Sequence, residues 1–177
     1  MLREIARKID RAQDAFGRGL AWLVLLMVLV VFGDVVMRYT IHRTYVWTQE
    51  LEWYLFAIVY LLGAGYVMLY DEHVRVDIFY SRLSPQAKAW SDFILLFVFF
   101  YPSCFLVMYT TWPFFRNAVA VWESSPDPGG IPARWALKSV IILGFAILAI
   151  QGFSEAVKRF HVAMGWEAPE GRQREVH

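Results

Sequence analysis

A single cysteine, Cys104, stands in a chain of 177 residues. It cannot close an internal disulfide, and it lacks the companions of a zinc or redox motif. Charge is scarce as well. Only 19% of the residues are charged, and 17 basic against 16 acidic side chains leave a formal net of +1. Such a balance supplies no field for gripping nucleic acid. The four histidines, His42, His73, His161 and His177, all fall outside the long apolar stretches, which disfavours a bis-histidine haem. The sequence carries no nucleotide loop, catalytic triad or metal cluster, so it does not read as an enzyme, and no cofactor is expected. What it has instead is apolar mass: 58% hydrophobic residues and 18% aromatic. Soluble domains hold about 45–50% apolar residues, and a chain this short has too little interior to hide the excess from water. Lipid is the implied solvent.

The apolar residues collect in four runs, 19–37, 53–70, 93–115 and 135–153. The first is interrupted only by Asp34 and the fourth only by Lys138; the other two carry no charge. Each approaches the roughly 20 residues needed to cross a hydrocarbon core of about 30 Å. Each must be helical, because a lone strand would leave its backbone unpaired in lipid. With their flanks the spans run from about 19–38, 48–70, 89–115 and 133–154. The fold class is therefore an all-α membrane protein with four transmembrane helices.

Orientation follows from the basic residues. With a cytoplasmic N-terminus, 12 of the 17 lie inside: Arg3, Arg7, Lys8, Arg11, Arg18, Arg75, Arg82, Lys88, Lys158, Arg159, Arg172 and Arg174. The positive-inside rule places both termini in the cytoplasm. Trp47, Trp53, Trp90, Trp112 and Trp135 sit near span ends, where amphipathic indoles prefer the headgroup region. Residues 1–18 form a basic leader with Leu2, Ile5, Ile9, Ala12 and Phe16 on one helical face. The pattern suits an amphipathic helix lying in the cytoplasmic interface; the alternative is a solvated leader. The membrane domain then covers 19–160, and the polar 161–177 forms a cytoplasmic tail.

Candidate chemistry sits at the ends of the spans. Asp34 lies four residues before Arg38, a spacing that makes a local helix pair; the alternative is an ion relay, the default reading of an intramembrane acid. Glu50 and Glu52 fall in the first turn of the second span, where negative charge complements the helix dipole. Two residues apart, they point to nearly opposite sides, so one is expected to face a partner and the other water. Lys138 is close enough to the outer surface to snorkel. Pro102 frees a carbonyl in the third span and predicts a kink there. Ser84-Pro85 predicts a capped helix start, and Gly63-Ala64-Gly65 a patch where another helix approaches closely. The outer stretch holds three prolines and two glycines between Ser124 and Pro132, the composition of a fixed turn. The midplane, where a transport site would sit, is apolar and nearly featureless.

The inter-helix motifs resemble those of one family, the small membrane subunit of tripartite ATP-independent periplasmic (TRAP) transporters. The likeness is carried by Trp47-Thr48-Gln49-Glu50-Leu51, His73-Val74-Arg75-Val76-Asp77 with Leu83-Ser84, Ser125-Pro126-Asp127-Pro128-Gly129-Gly130-Ile131-Pro132, and Gln151-Gly152. It covers about residues 18–160, and the outer run looks like the mannitol/chloroaromatic branch. One departure is Ile142, where relatives often have a proline. The resemblance implies an accessory subunit in a bacterial inner membrane. Its partners would be lipid, a large membrane subunit and a periplasmic substrate-binding protein, in a sodium-driven importer of an organic acid. Sodium would bind the large subunit, not this chain. The expected interface takes in Trp47, Glu50, Glu52, Glu123, Ser125, Asp127, Gly129, Gly130 and Pro132 outside, with Arg75 and Asp77 at a cytoplasmic junction. Two rival classes are a self-sufficient four-helix exporter, which needs an acid near the middle of its first helix, and a membrane anchor of a respiratory enzyme, which needs midspan histidines.

Overall fold

The computed structural model describes residues 1–70 and 83–166. Within them lie four long helices: α1 (Leu2–Thr40), α2 (Val46–Leu69), α3 (Pro85–Ala120) and α4 (Arg134–Ala163). All four are long and apolar enough to cross a membrane, and no strand occurs among the described residues. The four-span, all-α membrane architecture expected from the apolar runs is the one observed. α4 packs against each of the other three helices, α1 and α2 pack together, and α3 leans mainly on α4. Large apolar side chains such as Trp22, Phe32, Phe56, Phe99 and Phe105 point outward from the bundle. In water that surface would drive aggregation; in lipid it is the proper exterior.

Two glycines let α4 hold this central position. A methyl group on Gly144 would come within 2.8 Å of the Leu61 carbonyl oxygen on α2. One on Gly152 would meet the Phe100 ring of α3 at 2.4 Å. Small residues at crossings are the usual means of close helix approach in membranes. Of the Gly63-Ala64-Gly65 patch, Gly65 is covered by Gln13 of α1, whereas a methyl group on Gly63 would meet no other part of the bundle within 4 Å. Gly63 opens instead into a groove between α1, α2 and α4, also lined by Leu20, Val24 and Leu148.

α3 begins as its sequence predicts. Pro85 occupies the first turn, and the Ser84 hydroxyl accepts the Ala87 N–H at 3.3 Å. Farther along, a π-turn spans Leu96–Phe100, with the Tyr101 N–H donating to the Leu96 carbonyl. Pro102 has no N–H to give, and widening the preceding turn by one residue lets the helix pass it. The irregularity expected at Pro102 thus takes the form of a π-turn immediately before the proline.

The leader does not end at residue 18. Residues 2–40 form one unbroken helix of 39 residues. Its inward stripe is not the apolar face but the one beside it: Ala6, Gln13, Gly17 and Leu20 are buried, while Leu2, Ile5 and Phe16 stay outward. Gly17 is indispensable to this contact, since a methyl there would lie 1.9 Å from the Tyr66 ring. Asp10 explains why a polar stripe can be inside. Its carboxylate accepts from Gln151 at 2.9 Å and from the Ser154 hydroxyl at 2.7 Å, and it pairs with Lys158 at 3.3 Å. Gln151 and Ser154 are fully buried. Polar groups in lipid gain by pairing across helices, so the leader continues the first span and brings the N-terminal turns beside the end of α4. Asp14 accepts from the Tyr70 hydroxyl at 2.7 Å, tying the same stripe to α2. Arg159 reaches Asp92 of α3 at 3.2 Å, which fastens the third helix at this end as well.

Candidate functional site

At the far end of the bundle, the start of α2 meets the loop between α3 and α4. Tyr45 is extended and sets the entry to α2, leaving Trp47 exposed and Thr48 and Glu50 buried one turn inside. Glu50 is only 6% exposed. One of its carboxylate oxygens takes a short hydrogen bond from the Ser125 hydroxyl, and the other accepts the Ile131 N–H at 2.5 Å. The Ser125 oxygen in turn accepts the Asp127 N–H at 3.1 Å, which leaves its own proton to point at Glu50. A buried carboxylate is costly unless such donors surround it.

The loop closes upon itself around this contact. The Ser125 N–H donates to the Ile131 carbonyl at 3.3 Å, Gly130 N–H to Asp127 at 3.0 Å, and Arg134 N–H to Glu123 at 2.8 Å. Gly129 has φ +84°, a conformation that disfavours side chains. Gly130 must lack one for a different reason: a methyl there would lie 2.3 Å from Ser125 Oγ and 2.7 Å from a Glu50 oxygen. Two non-glycine residues, Trp122 and Ala133, also take positive φ, at 49° and 67°, where the loop leaves α3 and enters α4.

Lys138 does not snorkel outward. It is 9% exposed, pairs with Glu123 through a short contact, and lies 3.6 Å from the centre of the Phe114 ring. Glu123 and Phe114 supply an in-chain partner for the ammonium and a face for its charge, so extension to water is unnecessary. Asp34 forms the expected pair with Arg38 at 2.7 Å, and it is 2% exposed. The Thr48 hydroxyl adds a bond at 2.9 Å from α2, an interhelical contact that the local spacing does not disclose.

The expected interface residues thus fall into two sets. Glu50, Ser125 and Gly130 come together as one internal cluster, and Glu123 is drawn in beside them by Lys138. Trp47, Asp127, Gly129 and Pro132 face outward. Glu52 is half-buried and makes no hydrogen bond or ion pair among the described residues, so the two acids of this turn do diverge. Arg75 and Asp77 lie outside the described residues. The Ile131 amide and Lys138 were missed as members of the cluster. Only Lys138 left a signal, as the one cation of its span with an acid, Glu123, at the edge of the adjoining loop.

Comparison with known proteins places this arrangement. The profile of the family described as Tripartite ATP-independent periplasmic transporters, DctQ component, matches residues 27–162. The chain is 26% identical over 150 residues to a TRAP transporter small permease protein of Haemophilus influenzae, covering 85% of this chain and 89% of that one. It is 28% identical over 145 residues to the sialic acid TRAP transporter permease protein SiaT from another strain of that species. That match takes in 76% of this chain but 22% of SiaT, a much longer polypeptide. Four membrane-spanning helices, polar clusters confined to their ends and a family match across most of the chain lead to one assignment. The chain belongs to the DctQ family of TRAP transporter components, and is a multi-pass inner-membrane transport subunit and not an enzyme.

Proposed function

We propose that the chain is the accessory small permease subunit of a sodium-driven importer that receives an organic acid from a periplasmic binding protein. It steadies the scaffold of a large membrane subunit, which holds the sodium and substrate sites, and it contributes to the docking surface outside. The observation that carries this reading is the distribution of charge. The two charged side chains within the apolar runs, Asp34 and Lys138, both lie toward the outer end and are both neutralised inside the chain. An organic anion crossing the bundle would find no midplane cation or polar cradle among the described residues, and burying an uncompensated carboxylate costs many kcal/mol. The same pairing of Asp34 with Arg38 and Thr48 speaks against the self-sufficient exporter, which needs a free acid. SiaT supports a large partner, because it carries a segment like this chain within a much longer permease polypeptide.

The reading is tested by omission and by proximity. Vesicles holding the large subunit, with binding protein and substrate outside, should take up the acid only when this chain is also present. A photo-crosslinker attached through Asp127→Cys, in a Cys104→Ser background, should capture the binding protein from outside; the same probe at Ser84→Cys should not. Full uptake without the chain, or capture from Ser84, would contradict it.

A further inference from the structure

Glu50 is one of the two acids that the sequence offers to a partner, yet its two oxygens are spent on its own chain. Their arrangement is specific. Ser125 stands just before the turn 126–130 and Ile131 just after it, so one carboxylate grips both flanks of the turn. Between them, Pro126, Asp127, Pro128 and Gly129 are exposed at the tip. The two prolines fix φ at their positions, and Gly129 holds φ +84°. The tip therefore has little local freedom of its own, and the pair of bonds to Glu50 settles how it stands over the bundle.

We infer that Glu50 is a positioning residue: it presets the outer turn 126–130 in the shape on which the substrate-binding protein docks, without touching that protein. This rests on the accessory-subunit reading above. A loop already held in its bound form loses less freedom on association, so the grip raises affinity without adding a contact. The chemistry also explains the glutamate. Both groups that face it, a hydroxyl and a backbone N–H, are donors, and a carboxylate accepts from both at once. A glutamine has one acceptor oxygen and must turn its NH2 toward the other donor. Gly130 belongs to the same device, because any side chain there would force Ser125 and Glu50 apart.

The test uses the complete complex in proteoliposomes, with binding protein and its substrate titrated from outside. Glu50→Gln and Gly130→Ala attack the grip from opposite sides and leave the exposed tip unchanged. Both should speed hydrogen exchange of the Ile131 amide. Both should also raise the half-saturating concentration of binding protein by about tenfold or more, the scale set by losing a charge-assisted hydrogen bond. The maximal uptake rate at saturation should stay near that of the parent complex. Asp127→Asn should leave the exchange of Ile131 slow, since its side chain is not part of the grip. The inference is overturned by faster exchange with an unchanged half-saturating concentration. It is equally overturned if either variant lowers the maximal rate alone, or releases the large subunit on purification, because Glu50 would then act in transport or in assembly. A parent complex whose uptake ignores the binding protein would strike at the accessory reading itself.

Discussion

The two ends of the bundle use polar groups for different purposes. At the end carrying the N-terminus, Asp10, Gln151, Ser154 and Lys158 join helix to helix, α1 to α4. At the opposite end, Glu50, Ser125, Glu123 and Lys138 join a loop to the helices beneath it. The first network fixes how the spans are assembled, so its loss should be felt throughout the molecule. The second fixes the shape of one surface, so its loss should be felt there. Apolar packing and the close approaches at Gly144 and Gly152 add to both.

The largest effect is expected at the first end. Asp10→Ala removes the acceptor shared by Gln151 and Ser154 and one partner of Lys158, and should cost about 3 kcal/mol of stability. Thermal unfolding of the purified protein in detergent would show it as a single lowered transition. An unchanged transition would mean that the leader adds nothing to the bundle. Next comes Lys138→Met, which leaves the Glu123 carboxylate without its cation and should cost about 1–2 kcal/mol. Its signature should be local: amide exchange should quicken in residues 122–134 while the exchange of α1 stays as it was. Ser154→Ala is smaller, about 1 kcal/mol, because Asp10 keeps Gln151 and Lys158. Smallest of all is Arg18→Ala. Arg18 pairs with Asp14 at 2.5 Å, but its side chain is 70% exposed, and an exposed i,i+4 pair contributes at most about 0.5 kcal/mol. A loss at Arg18 rivalling that at Asp10 would dissolve the distinction between the two ends.

The spans, their number and the polar character of their ends were legible in the sequence because lipid demands long apolar runs. The local pair Asp34–Arg38 and the cap at Ser84 were legible too, since each involves neighbours along one helix. The reach of Glu50 to Ser125 and Ile131 was not, because it joins residues more than 70 positions apart and depends on where the loop folds. The inward face of the leader was hidden for another reason. Ala6, Asp10, Gln13 and Gly17 look like a solvated face until Gln151, Ser154 and Lys158 arrive from the other end of the chain. The outer run that carries the likeness is the loop that Glu50 holds. The likeness alone does not separate residues that shape the loop from those that face outward, a distinction that the hydrogen bonds draw.

On this reading the chain serves transport without carrying the substrate. The decisive measurement reconstitutes the chain alone into vesicles, imposes an inward sodium gradient and follows the entry of radiolabelled organic acids. Uptake should not exceed that of empty vesicles, with or without binding protein. Sodium-dependent accumulation by the chain alone would contradict it and would make buried Asp34 the first residue to examine as part of a pathway.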